Sequence, residues 1–103
     1  MNIPQADTTQ SLLNALPNTN APIYARLKSA ILENIQSSNW MPEQRLPSEA
    51  QMVDALGVSR MTVNRALREL ATDGVLIRRQ GVGTFVAPQK VHSALFEVHN
   101  IAQ

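Results

Sequence analysis

A chain of 103 residues has the length of one small domain, and its apolar fraction of 44% is typical of soluble globular proteins. It contains no cysteine, which excludes disulfides and thiolate metal sites. It also has no apolar run long enough to span a membrane and no signal peptide, so we expect a cytoplasmic protein.

Positive charge is concentrated in one segment, although the formal net charge is only +1. Five arginines and two acidic residues lie between positions 60 and 79, whereas three cations balance three acids between positions 22 and 50. Arginine is suited to phosphate groups and guanine edges. On charge alone, a surface that binds nucleic acid and an ordinary solvated face are equally good interpretations of this segment.

The first predicted helix follows a polar N-terminal arm. Residues 1–21 are rich in Asn, Gln and Thr and show no sustained period, so we expect a flexible, mostly disordered arm. Pro22 is a good first-turn residue, and Leu27, Ile31 and Ile35 then recur at helical spacing. A helix is therefore predicted to begin near Pro22.

Two shorter helices are predicted next, separated by a tight turn. Ser48, followed three residues later by glutamine, forms a capping box, and Gly57 supplies the left-handed residue that ends this second helix. Ser59 caps the third helix, whose apolar residues share one face. The opposite face of the third helix carries Met61, Asn64, Arg65 and Arg68.

A β-hairpin is predicted after the third helix. Two β-rich runs, residues 75–78 and 84–87, flank a glycine-containing tip that permits a tight turn. The order of elements predicts an α+β winged helix-turn-helix over residues 22–88, with three helices, a two-stranded wing and an optional short strand near residues 45–46. Residues 89–103 carry too much apolar surface for a plain tail, which indicates a linker and the start of a second domain.

The third helix has the side chains that reading of duplex DNA requires. The major groove of DNA admits one α-helix. From such a helix, Arg60 and Arg65 can each donate two hydrogen bonds to the edge of a guanine. Asn64 can both donate to and accept from adenine. Ser59 and Thr62, with the backbone amides of the helix N-terminus, suit phosphate oxygens.

Further DNA contacts are predicted beside the third helix. At the hairpin tip, Gly81 lets the backbone approach a groove wall closely. Arg78, Arg79 or Gln80 would then lie beside that wall. Ser48, at the start of the second helix, completes this group of predicted contacts.

Three other candidate contacts each keep a structural alternative. Met61 suits a thymine methyl group, which we favour, or a contact between protein molecules. Arg68 suits a phosphate or simply solvent. Arg45 suits a phosphate or an ion pair with Glu43 or Glu49.

Four motifs together identify a family resemblance. They are Leu46-Pro47-Ser48-Glu49, Leu56-Gly57-Val58-Ser59-Arg60-Met61-Thr62-Val63, Ala66-Leu67 and Arg79-Gln80-Gly81-Val82-Gly83-Thr84-Phe85-Val86. Over roughly residues 22–88 the chain resembles the DNA-binding domain of GntR-family bacterial regulators. Residues 93–102 resemble the start of the effector domain in the HutC branch of that family.

The resemblance implies a cytoplasmic homodimer that binds a palindromic operator and represses histidine-utilisation genes. It implies release by a small effector, urocanate, which would bind the effector domain expected to be missing from this chain, so no cofactor is expected here. In the family, the arginine after the cap serine contacts bases or phosphates, which corresponds to Arg60. The threonine two positions later contacts phosphate and corresponds to Thr62, and the wing glycine that reaches the minor groove corresponds to Gly81.

Three positions depart from the family pattern. Ala50 stands where relatives often have arginine, so that DNA contact is expected to be lost. Asn64 also stands where arginine is frequent, which predicts a different base preference. Glu43 replaces a common glycine.

Other function classes find less support in the sequence. It shows no nucleophile elbow, phosphate-binding glycine loop or paired carboxylates, so we expect no enzymatic activity. His92 and His99 lack neighbouring ligands, and a zinc site needs about four. A winged helix used for protein–protein contact and an RNA-binding role are the alternatives. The polar face of the third helix argues against both, and it has no aromatic residue for stacking RNA bases.

Overall fold

The computed structural model describes residues 5–88 of the chain, with side chains from Thr8 onward. It contains four helices and a hairpin: α1 (Gln5–Ala15), α2 (Ile23–Gln36), α3 (Glu49–Leu56), α4 (Arg60–Thr72), β1 (Leu76–Arg79) and β2 (Gly83–Val86). Helices α2, α3 and α4 are the three predicted helices, and the predicted winged helix-turn-helix is confirmed. Residues 89–103, with the predicted linker and both histidines, lie outside the described residues.

Helix α1 corrects the prediction of a disordered arm and raises the helix count from three to four. Leu12 of α1 is fully buried in the core, with Ala15 and Leu16 packed against it. The Nδ2 group of buried Asn34, on α2, donates a hydrogen bond to the Ser11 carbonyl oxygen at 3.2 Å. These tertiary contacts hold a helix whose own periodicity is weak, and for that reason local sequence analysis missed it.

The predicted capping residues set the ends of α3 and α4. The Ser48 hydroxyl accepts from the Gln51 amide at 3.0 Å, and the Gln51 side chain accepts from the Ser48 amide at 2.8 Å. Gly57 ends α3 in the left-handed conformation, with φ of 67°. The Ser59 hydroxyl accepts from the Thr62 amide at 3.1 Å, so that α4 begins after a very short turn.

The hairpin is antiparallel and gains a third chain segment along β2. Its register pairs Leu76 with Val86 at one end and Arg79 with Gly83 at the other. The optional strand is present as one isolated bridge between Arg45 and Phe85. Backbone hydrogen bonds continue this pairing on both sides of the bridge, and they anchor the wing, by which we mean residues 76–86, to the chain entering α3.

The core is mostly aliphatic, and all the elements contribute to it. The buried face of α4 packs against α2, α3 and β1. Trp40 is 2% exposed and belongs to this core. The fully buried core residues of the three predicted helices are Leu27, Ala30, Ile31, Met52, Val63, Ala66, Leu67 and Leu70.

The substitution Leu12→Ala tests the docking of α1. Removing a fully buried leucine leaves a cavity and is expected to lower the free energy of unfolding by about 2–5 kcal/mol. Urea unfolding followed by circular dichroism measures this loss. The exposed Gln10 on the same helix provides the control, since Gln10→Ala should change stability little. Equal stability of the two variants would show that α1 does not pack on the core.

Candidate nucleic-acid interface

Helix α4 turns two opposite faces to the core and to solvent. Its inner face is apolar and buried, through Val63, Ala66, Leu67 and Leu70. The outer face, defined by Arg60, Met61, Asn64, Arg65 and Arg68, therefore points away from the core. Met61 is 82% exposed, which is unusual for a large apolar side chain and leaves it available for contact with another molecule.

The first turn of α4 presents free backbone amides together with a cation. The Ser59 hydroxyl is committed to capping, and it lies 3.0 Å from the Thr62 hydroxyl. Arg60 extends outward with its side chain 70% exposed. Unpaired amides and the helix dipole favour anions at this end, and the adjacent arginine strengthens that preference.

The carboxylate of Glu49, in the first turn of α3, joins three elements. Its Oε2 atom accepts from Arg78 Nη2 of β1 at 2.6 Å and from Asn64 Nδ2 of α4 at 3.3 Å. Its Oε1 atom lies 4.0 Å from Arg60 Nη1. The sequence did not reveal this role, because its pattern suggested Glu49 only as a possible ion-pair partner of Arg45. The pairing with Arg78 spans 29 residues, which no local pattern reveals.

A second carboxylate, that of Glu69, fixes Arg65 on the side of α4 that faces α2. Arg65 Nε donates to Glu69 Oε2 at 3.1 Å, and Lys28 Nζ lies 2.8 Å from Glu69 Oε1. The hydrogen bond from Lys28, followed by that from Arg65, holds the pKa of the Glu69 carboxyl below its usual range. The Arg65 guanidinium also stacks 3.7 Å from the Tyr24 ring centre. Part of its donor capacity is therefore used within the protein.

The wing carries its polar side chains at the tip. Gly81 adopts φ of 77°, a conformation that other residues rarely adopt, and Arg79, Gln80 and Gly81 are all exposed. Arg45 lies alongside β2, where its Nε atom is 2.9 Å from the position that a Cβ on Gly83 would occupy. A side chain at position 83 would therefore displace Arg45.

The predicted site residues line two neighbouring concavities that share Glu49. The first concavity lies along the outer face of α4, and the second lies between α3 and the wing. Arg60, Met61, Thr62, Asn64, Arg65 and Arg68 line the first. Arg45, Ser48, Arg79, Gln80 and Gly81 line the second. Only Ser59 lines neither, which agrees with its capping role, and contact of these residues with DNA remains a prediction.

Within residues 5–88, no cluster of three or more His, Cys, Asp or Glu residues could hold a metal ion. The helices described there are also too short or too polar to cross a membrane.

Sequence comparison finds a family match and several curated relatives. Residues 23–86 match the family described as bacterial regulatory proteins, gntR family. The histidine utilization repressor of Pseudomonas aeruginosa strain PAO1 is 60% identical over 91 residues, covering 88% of this chain and 36% of the relative. The histidine utilization repressor of Klebsiella aerogenes is 60% identical over 82 residues, covering 80% of this chain and 34% of the relative. The chain thus spans about a third of the length of the curated relatives it matches.

The fold also matches solved structures. The DNA-binding domain of AraR, crystallised in complex with operator ORR3, has a TM-score of 0.65 and 37% identity, covering 69% of this chain and 86% of that one. The gntR-family match extends over more than half of the sequence and includes α2, α3, α4 and the wing. This chain therefore belongs to the GntR family of bacterial regulatory proteins.

Proposed function

We propose that the chain is the DNA-binding part of a transcriptional repressor, with α4 in the major groove and the wing at the minor groove of a duplex operator. The observation that carries this proposal is the outer face of α4, where exposed arginines flank an amide side chain. This face has the width of one helix and is backed by a rigid apolar core, as reading of base edges requires.

Different parts of the surface suit different contacts with DNA. Arg60, which is highly exposed, suits guanine, and Met61 beside it suits a thymine methyl group. Thr62 and the first amides of α4 suit one phosphate, and Arg45 suits another. The exposed tip of the wing, with Gly81, suits the minor groove.

The genes controlled are proposed from the relatives. The 60% identity to histidine utilization repressors supports repression of histidine-utilisation genes through a palindromic operator. The operator complexes of the AraR domain support duplex DNA as the partner. A cytoplasmic homodimer, and an effector such as urocanate bound by a further domain of the whole protein, complete the proposal. The chain is accordingly proposed to be a regulator without enzymatic activity.

The second candidate function is a winged helix used for protein–protein contact. The exposed side chains of Met61 and Val82 favour it, because apolar side chains at the surface often mark interfaces. The two functions differ in their dependence on salt. Binding to phosphates releases counterions, so the affinity for duplex DNA falls steeply as salt rises. A protein-contact module has no such salt-dependent affinity for duplex DNA.

The substitution Arg60→Ala tests base reading by α4. Loss of a two-bond contact to guanine should cost about 1–3 kcal/mol at the preferred duplex, or about 5- to 150-fold in affinity. Fluorescence anisotropy with a palindromic duplex, selected from a randomised library, and with a scrambled duplex measures this effect. Arg26→Ala is the control, because the Arg26 side chain donates to the Pro17 carbonyl oxygen and lines neither concavity. Equal losses in both variants would contradict base reading by Arg60.

The substitution Arg45→Ala tests the proposed phosphate contact beside the wing. Loss of one neutralised phosphate should weaken binding to all duplexes alike and should reduce the slope of log affinity against log salt by about 0.9. Titrations at several salt concentrations give that slope. An unchanged slope in a folded variant would assign Arg45 a purely structural role against Gly83.

A further inference from the structure

The side-chain amide of Asn64 lies between a carboxylate and a guanidinium. Its Nδ2 atom donates to Glu49 Oε2 at 3.3 Å, and its Oδ1 atom accepts from Arg68 Nη1 at 3.1 Å. Both partners are charged, and they approach opposite ends of the same amide. Asn64 occupies the middle of the outer face of α4 and is half-buried.

These two neighbours allow only one orientation of the amide. An ionised carboxylate can only accept hydrogen bonds, and a guanidinium can only donate them. Rotation of the Asn64 amide by half a turn would set its oxygen against Glu49 and its nitrogen against Arg68. That arrangement loses both hydrogen bonds and brings groups of like polarity together, so the nitrogen stays on the Glu49 side.

Glu49 is itself held in place from a third element. Arg78 of β1 donates to the same Oε2 atom at 2.6 Å, and Glu49 lies in the rigid first turn of α3. Hydrogen bonds between charged groups are short and roughly twice as strong as neutral ones. The acceptor that faces Asn64 is therefore fixed by the wing and by α3, not by α4 alone.

The clamped amide keeps one donor and one acceptor for DNA. An asparagine amide has two N–H groups and two oxygen lone pairs, and the internal bonds use one of each. An amide edge that offers one N–H beside one lone pair complements the N7 acceptor and N6 amino group of adenine. Guanine presents two acceptors at the same edge, so one of them would oppose the amide oxygen.

We propose that Glu49 and Arg68 are positioning residues that lock the Asn64 amide, and so make the protein select an adenine at one position of each half-site. This inference rests on the proposed DNA-binding function. It assigns an acidic residue within a DNA-binding surface a role in base selectivity. The negative charge of Glu49 would by itself only weaken binding to phosphates.

The test measures base preference position by position. The full 103-residue chain selects duplexes from a randomised library, and its affinity is then measured for the preferred duplex with each base pair replaced in turn. The proteins compared are the wild type, Asn64→Ala, Glu49→Gln and the double variant. Glu33→Gln is the control, since it removes the same charge from an exposed side chain on α2. Thermal unfolding verifies that each variant is folded.

We expect the wild type to prefer adenine at one position by about tenfold or more, and Asn64→Ala to lose that preference. Glu49→Gln should reduce the preference at the same position to about threefold or less, because a glutamine amide can donate or accept and so permits rotation of Asn64. Its affinity for scrambled duplex should be equal or higher, since a negative charge is lost. The double variant should resemble Asn64→Ala, which shows that Glu49 acts through Asn64. Glu33→Gln should behave as wild type.

Three other results would overturn the inference. If Glu49→Gln keeps the full adenine preference, the clamp does not set selectivity, although DNA binding by α4 stands. If Glu49→Gln alters the preference at a different base pair, and its effect adds to that of Asn64→Ala, Glu49 reads a base directly. If the folded wild type binds all duplexes equally, the proposed function itself fails, and the clamp fails with it.

Discussion

Burial of the inner face of α4 is the constraint on which the other features of the surface depend. Val63, Ala66, Leu67 and Leu70 lie on one side of the helix and are almost fully buried, so the rotation of α4 about its own axis is fixed. Rotation by one residue, about 100°, would expose leucine and bury arginine, and burial of an unpaired charge is far too costly. The outer face is therefore placed by the core, before any polar contact is considered.

Two carboxylates then organise the polar side chains around α4. Glu69 orders Arg65 and Lys28 between α4 and α2, and Glu49 orders Asn64 and Arg78 between α4 and the wing. Exposed ion pairs contribute little to stability, typically less than about 1 kcal/mol. Their effect here is geometric, because they hold flexible side chains in defined positions. Side chains ordered in advance lose less conformational entropy when they bind a partner.

Local signals predicted much of this arrangement, and long-range contacts account for what was missed. Ser48, Gly57 and Ser59 mark helix ends through bonds that span only a few residues, so their positions were predictable from the sequence. The docking of α1 depends on the packing of Leu12 against a core built from later elements. The weak periodicity within residues 5–15 does not predict this packing. The ion pair of Glu49 was likewise not predictable, because its partner Arg78 on β1 comes close only after the hairpin has folded back.

The difference between Arg60 and Arg65 shows why helix-face analysis alone overestimates a binding surface. Both arginines lie on the outer face, and sequence periodicity treats them as equivalent candidates for guanine. Arg65 is stacked on Tyr24 and hydrogen-bonded to Glu69, so a base contact there must share or replace those partners. Arg60 lies 4.0 Å from its nearest carboxylate oxygen and is 70% exposed, so it can reach a base at little internal cost. The free energy of base contact is therefore expected to come chiefly from Arg60 and the clamped Asn64, with Arg65 acting mainly as a support for α4.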